Sequence, residues 1–204
     1  MRTLRIFIVL ALSAVTPVVA ATATATLLPK AAGTLTFFPN FDLLLVQSDG
    51  EISSLCFSTD ADNLQFRRGF VEFAMPVSPK RVVKATLTIT ENQTGQITTP
   101  KPPDVHELSL YPADLVVGTR DYDAPTTLIG TFETNVNDPP ALRRFTFDVT
   151  DAIRQSGKGG IGFRIKLQID PAGPCVDFAG SDFGGLFFEP PSLAIEIQGA
   201  GYHD

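Results

Sequence analysis

Tryptophan is absent from this 204-residue chain, and histidine and cysteine occur twice each. Each shortage narrows the function. Without tryptophan, the best flat platform for a sugar ring is missing. Neither His106 nor His203 lies near a Gly-x-Ser-x-Gly turn, so a nucleophile has no evident base. Cys56 and Cys175 fit no Cys-x-x-Cys or Cys/His spacing, which leaves no signature of a thiol redox centre or a zinc site. Positive charge is scarce as well: 16 Lys and Arg stand against 22 Asp and Glu, for a formal charge of −6. Nucleic acid and anionic lipid both need a positive footprint, so neither is an expected partner. After the first twenty residues no run is long and apolar enough to span a bilayer, and helical periodicity is nearly missing.

The first twenty residues have the form of a secretory signal. Arg2 and Arg5 make a basic start, Ile6 to Val15 an apolar run, and Val18-Val19-Ala20 a small-residue cleavage site. Removing the two arginines makes the remainder more acidic still. The expected location is secreted, extracellular or periplasmic. In such an oxidising space Cys56 and Cys175 are expected to pair, closing a loop of more than half the chain; chain entropy gives about 4–5 kcal/mol for that closure as an upper figure.

The rest of the chain alternates. Residues 145–167, FTFDVTDAIRQSGKGGIGFRIKL, place Phe145, Phe147 and Val149 on one face. After a short helical turn with Thr150 as its expected N-cap, Ile161, Phe163, Ile165 and Leu167 line another face. Gly162, Arg164, Lys166 and Gln168 are expected to point outward. Val83, Ala85, Leu87 and Ile89 repeat the pattern, as do Leu108 with Leu110 and Leu193 with Ile195 and Ile197. Pro76 and Pro79 end one strand, residues 91–104 form a long polar loop, SDFGG reads as a turn, and Pro190-Pro191 introduces the last strand. Nine or ten short strands of this kind predict an all-β, jelly-roll-like antiparallel sandwich with one short helical turn. The expected boundaries are a signal at 1–20, a flexible leader at 21–33, one β-sandwich domain at 34–199 and a tail at 200–204.

The segments RGFVEFAMP, KATLTIT, FDVTDAIRQ, GKGGIGFRIKL, DFAGSDFGG and PPSLAIEI together resemble the DNRLRE-type exported β-sandwich domain, a family related to jelly-roll carbohydrate-binding modules. The matching positions run from Arg68 and Phe73 through Ala85, Leu87, Phe147, Asp148, Val149, Thr150 and Gly160 to Phe178, Ser181, Pro191 and Leu193. The long loop at 91–104 and the lack of a tryptophan-centred segment depart from that pattern. The resemblance implies the fold, export, and association with a cell surface or polysaccharide.

Candidate site residues are few. Tyr111 and Tyr122 flank one connection and are the best aromatic contacts for a glycan, though tyrosines are ordinary surface residues too. Arg67-Arg68 and Arg143-Arg144 precede strands; they make either a strip for an acidic polysaccharide or gatekeepers against aggregation. Asp60 with Asp62, and Asp121 with Asp123, read as solvated turns, and the first pair is also a candidate calcium site. No motif calls for a cofactor beyond such a structural calcium. His106 reads as a strand residue facing a loop. The function expected is an exported, non-catalytic binding module for extracellular polysaccharide or cell-envelope material. The alternatives are a structural or adhesive surface or matrix protein without a small ligand, and a carbohydrate-active lyase or hydrolase whose two carboxylates face each other across a cleft.

Overall fold

The computed structural model describes residues 22–58, 64–92, 103–134, 143–156, 159–168, 170 and 182–198. The expected signal, the tail, Asp60, Asp62, Cys175, Asp177, Phe178 and Ser181 lie outside them. Eleven strands form: β1 (Thr22–Leu27), β2 (Ala31–Phe38), β3 (Leu43–Gln47), β4 (Ile52–Ser58), β5 (Gln65–Ala74), β6 (Val82–Asn92), β7 (Asp104–Ala113), β8 (Thr127–Thr134), β9 (Arg144–Asp148), β10 (Gly160–Leu167) and β11 (Asp182–Gln198). One short helix, α1 (Thr150–Gln155), joins β9 to β10. Among the described residues no helix is long and apolar enough to cross a membrane.

The strands make one antiparallel sheet in the order β8-β7-β10-β5-β4-β11-β6-β9, with β1 along β11, β2 on β5 and β3 on β2. The all-β expectation holds, and the sheet wraps on itself around one core. Val71, Phe73, Leu87, Ile89, Leu108, Phe163, Ile165, Leu193 and Ile195 are among the buried members of that core. The two ends of the strand order meet through rings. Phe132 of β8 lies 4.6 Å from Phe145 and 5.7 Å from Phe147 of β9. Gly130 of β8 lies against the edge of the Phe147 ring.

β11 turns the wall. Its first half pairs with β4 and its second half with β6. The expectation of a turn at SDFGG and a fresh strand after Pro190-Pro191 is corrected here, because Asp182 to Gly185 already pair with Ser58 to Leu55. The two prolines sit in a register shift between Glu189 and Ser192, where no ladder donor is required.

The expected flexible leader is likewise corrected. Residues 22–27 pair with Gln198 to Leu193, and Ala25 and Leu27 pack against the core. A Thr/Ala alternation is a weak apolar signal, and the partner edge of β11 supplies what propensity does not. Val83 is exposed and Val82 is buried, because a bulge facing Glu196 and Ile197 slips the alternation by one residue.

β9 and β10 are not neighbours. β9 pairs with β6, while β10 lies between β5 and β7, and α1 spans the gap. Thr150 does not cap α1; it is the first residue of the helix and makes no side-chain cap. Its Oγ1 instead accepts the Ala85 N–H at 2.9 Å and donates to Asp148 Oδ1 at 2.6 Å. Asp148 also accepts the Thr150 N–H at 2.9 Å, and these bonds hold its carboxyl below the usual carboxylate range. Arg154 donates to the Val82 and Val83 carbonyls and fixes the other end of the helix to β6.

Candidate functional site

Strands β5, β7 and β10 carry a second alternating row on the face turned away from the core. It consists of Arg68, Phe70 and Glu72 on β5, Ser109 and Tyr111 on β7, and Gly162, Arg164 and Lys166 on β10. The β10 part of this face was expected to point outward. It is buried instead, because the connection from Asp114 to Thr126 folds over it through a 3-10 turn at Thr119–Asp121. Leu35, Phe70, Tyr111, Val117 and Tyr122 make a small second core beneath that connection. Of the expected outward set on β10, Arg164 is buried and Lys166 half-buried, and Gln168 alone is exposed.

Register explains how Tyr111 reaches its partner. Gly162 lies opposite both Tyr111 of β7 and Glu72 of β5. A side chain at Gly162 would overlap the tyrosine ring, so glycine leaves the ring room to cross β10. Tyr111 then donates to Glu72 Oε1 at 2.8 Å. Burial is the main cause that pushes both groups upward from their ordinary pKa values, and the Asp121 charge adds to each rise. The Tyr111 hydroxyl, and after it the Leu115 and Val116 amides, pull Glu72 the other way, yet Glu72 Oε2 has no hydrogen-bond partner.

Glu72 belongs to a carboxylate group with Asp114 and Asp121, in which one oxygen from each lies within 4.8 Å of the others. Asp121 is buried and accepts the Gly118 N–H at 2.7 Å, so the expected solvated Asp121-Asp123 turn is only half present. Asp123 is the exposed member. Asp114 is open to solvent and pairs with Arg120.

Two arginines stand further along the same face. Arg68 donates Nε and Nη2 to the Asp170 carboxylate at 2.7 and 3.0 Å, and Nη1 to the Tyr122 carbonyl at 2.6 Å. Its guanidinium lies 3.6 Å from the Tyr122 ring centre. Burial opposes the Arg68 charge, but Asp170 more than offsets it and the pKa moves up. Arg164 donates to the same Tyr122 carbonyl at 2.9 Å and to Thr126 Oγ1 at 3.1 Å. Burial, with the Arg68 charge beside it, lowers the Arg164 pKa.

The residues expected to bind a ligand are therefore mostly structural. Tyr111 is 2% exposed and Tyr122 5%, so neither offers a ring face to a glycan. The arginine pairs do not form one strip: β4, β11 and β6 separate β5 from β9. Arg68 is neither surface strip nor gatekeeper. Arg67 is half-buried against Gln65. Arg143 clasps the buried Glu91 carboxylate at 2.8 and 2.9 Å, and Arg144 is exposed. His106 does not face a loop. It is fully buried, stacked 5.0 Å from Phe132, with Nδ1 2.9 Å from Ser54 Oγ and Nε2 2.8 Å from Thr134 Oγ1. Cys56 is buried on β4.

Sequence reasoning missed Glu72, Arg164 and Asp170 as members of one buried group. A signal did exist, since Glu72 and Arg68 share parity with Phe70 in RGFVEFA. A cleft of about 370 Å³ opens nearby, bordered by Pro112, Thr126, Gln155 and Ser156, with no carboxylate, histidine or cation among the described residues of its lining. Neither a family model nor a curated protein matches this chain.

Proposed function

We propose that the protein is an exported, non-catalytic structural module of the DNRLRE type, whose copies assemble through the open edge of β3. One observation carries this reading. Among the described residues β3 pairs with β2 alone, and its sequence LLLVQ exposes Leu43, Leu45 and Val46, with Phe41 just before it. An edge strand without charge or proline is a template for another strand. Two copies joined edge to edge would form a closed, two-fold pair. The β8 and β9 ends differ, since Phe132, Phe145 and Phe147 bring them together.

The signal-like segment at 1–20 supports export, and a Cys56–Cys175 bond belongs to the same reading. Cys56 is buried and not free, and Cys175 is the chain's other cysteine. Polysaccharide binding is the second reading. It falls to the cleft beside Thr126, Gln155 and Ser156, which offers hydroxyls and an amide.

Leu45→Lys tests the first reading. Leu45 is 46% exposed, so the change should alter stability by no more than about 0.5 kcal/mol. Sedimentation equilibrium of the mature protein should show a concentration-dependent dimer that Leu45→Lys returns to monomer. A wild type that stays monomeric, or a dimer that Leu45→Lys leaves intact, contradicts it.

A further inference from the structure

We propose that Glu72, Asp114 and Asp121 form a binding site for a hard divalent cation, with calcium the best fit. The three lie on two segments that the fold brings together, β5 and the connection that covers it. Two oxygens on opposite sides of a calcium ion, each at about 2.3–2.6 Å, stand about 4.6–5.2 Å apart. Carboxylate oxygens within 4.8 Å of one another therefore suit one shared ion with little rearrangement.

A second observation concerns the most buried of the three. Glu72 is 0% exposed, and its Oε2 has no hydrogen-bond donor. A buried carboxylate oxygen without a donor is costly, and two more carboxylates beside it add like-charge repulsion. A cation meets both needs. The two buried ligands are already oriented, Glu72 by the Tyr111 hydroxyl and Asp121 by the Gly118 amide. Asp114 stands at the solvent side, where the ion would enter and keep water in the rest of its shell. Arg120, itself exposed, pairs with Asp114 and has room to swing away.

The proposed ligands are not the Asp60-Asp62 pair, and terbium with variants of each set tells the two candidates apart. The chain has no tryptophan, so ultraviolet sensitisation of bound Tb3+ must come from tyrosine, and the Tyr111 hydroxyl is 2.8 Å from Glu72 Oε1. Tb3+ added to the mature protein should give saturable emission that Ca2+ displaces. Asp114→Asn, at a solvent-open position, should fold normally and weaken both ions at least about tenfold, the lower end for a lost metal-supporting group. Ca2+ should raise the melting temperature of the wild type more than that of Asp114→Asn. The proposal is overturned if no saturable emission appears, if Asp114→Asn leaves it unchanged, or if Asp60→Asn with Asp62→Asn removes it instead.

Discussion

Asp170→Ala will lower the stability of the mature protein by about 3–5 kcal/mol, because it leaves the buried Arg68 guanidinium without its carboxylate. The bond is bidentate, and both side chains are nearly excluded from water. Removing Asp170 leaves the buried charge with only the exposed Asp123 carboxylate, 3.8 Å away, whereas removing both partners leaves no charge to compensate. Arg68→Met with Asp170→Leu is therefore expected to be more stable than Asp170→Ala alone. Arg144→Ala, on the exposed arginine, should stay within about 0.5 kcal/mol. Urea unfolding of these proteins checks the order. Equal small losses for Asp170→Ala and Arg144→Ala would return Arg68 to the surface.

Phe132→Ala should cost about 3–5 kcal/mol, through lost burial and the cavity left among four rings. Phe132 touches His106, Phe145, Phe147 and Phe188, so it joins β7, β8, β9 and β11 where the wrapped sheet meets itself. Leu128 lies on the same strand and is 57% exposed, so Leu128→Ala should change little. Amide exchange should also quicken in β8 and β9 more than in β5. Similar midpoints for Phe132→Ala and Leu128→Ala would mean that the rings do not close the sheet.

Much of the fold was legible because period-2 alternation is a direct record of one buried face. Leu87 with Ile89, Leu108, and Ile161, Phe163, Ile165 and Leu167 all read correctly as buried. What alternation does not record is a second cover. The residues that bury the far face of β10 lie in PADLVVGTRDYDAPT, a polar connection with no period of its own. Arg164 therefore looked outward although it is inside. Arg67-Arg68 and Arg143-Arg144 are identical as dipeptides, and only their register against neighbouring strands separates the buried Arg68 from the exposed Arg144. The candidate site failed for a related reason. Tyr111 meets Glu72 because Gly162 stands between them, and that three-strand register is a property of the pairing, not of any one segment. The bulges at Pro190-Pro191 and at Val83 were invisible on the same ground.

Tyr111 and Tyr122 are sealed beneath the 114–126 connection, which withdraws them from any role as a glycan platform. Nitration of the native mature protein, followed by peptide mass mapping, tests this directly. Both tyrosines should remain unmodified under native conditions and become nitrated once the protein is unfolded in urea. Full nitration of Tyr111 and Tyr122 in the folded protein, with its sheet intact by circular dichroism, would contradict the account and place both rings at the surface.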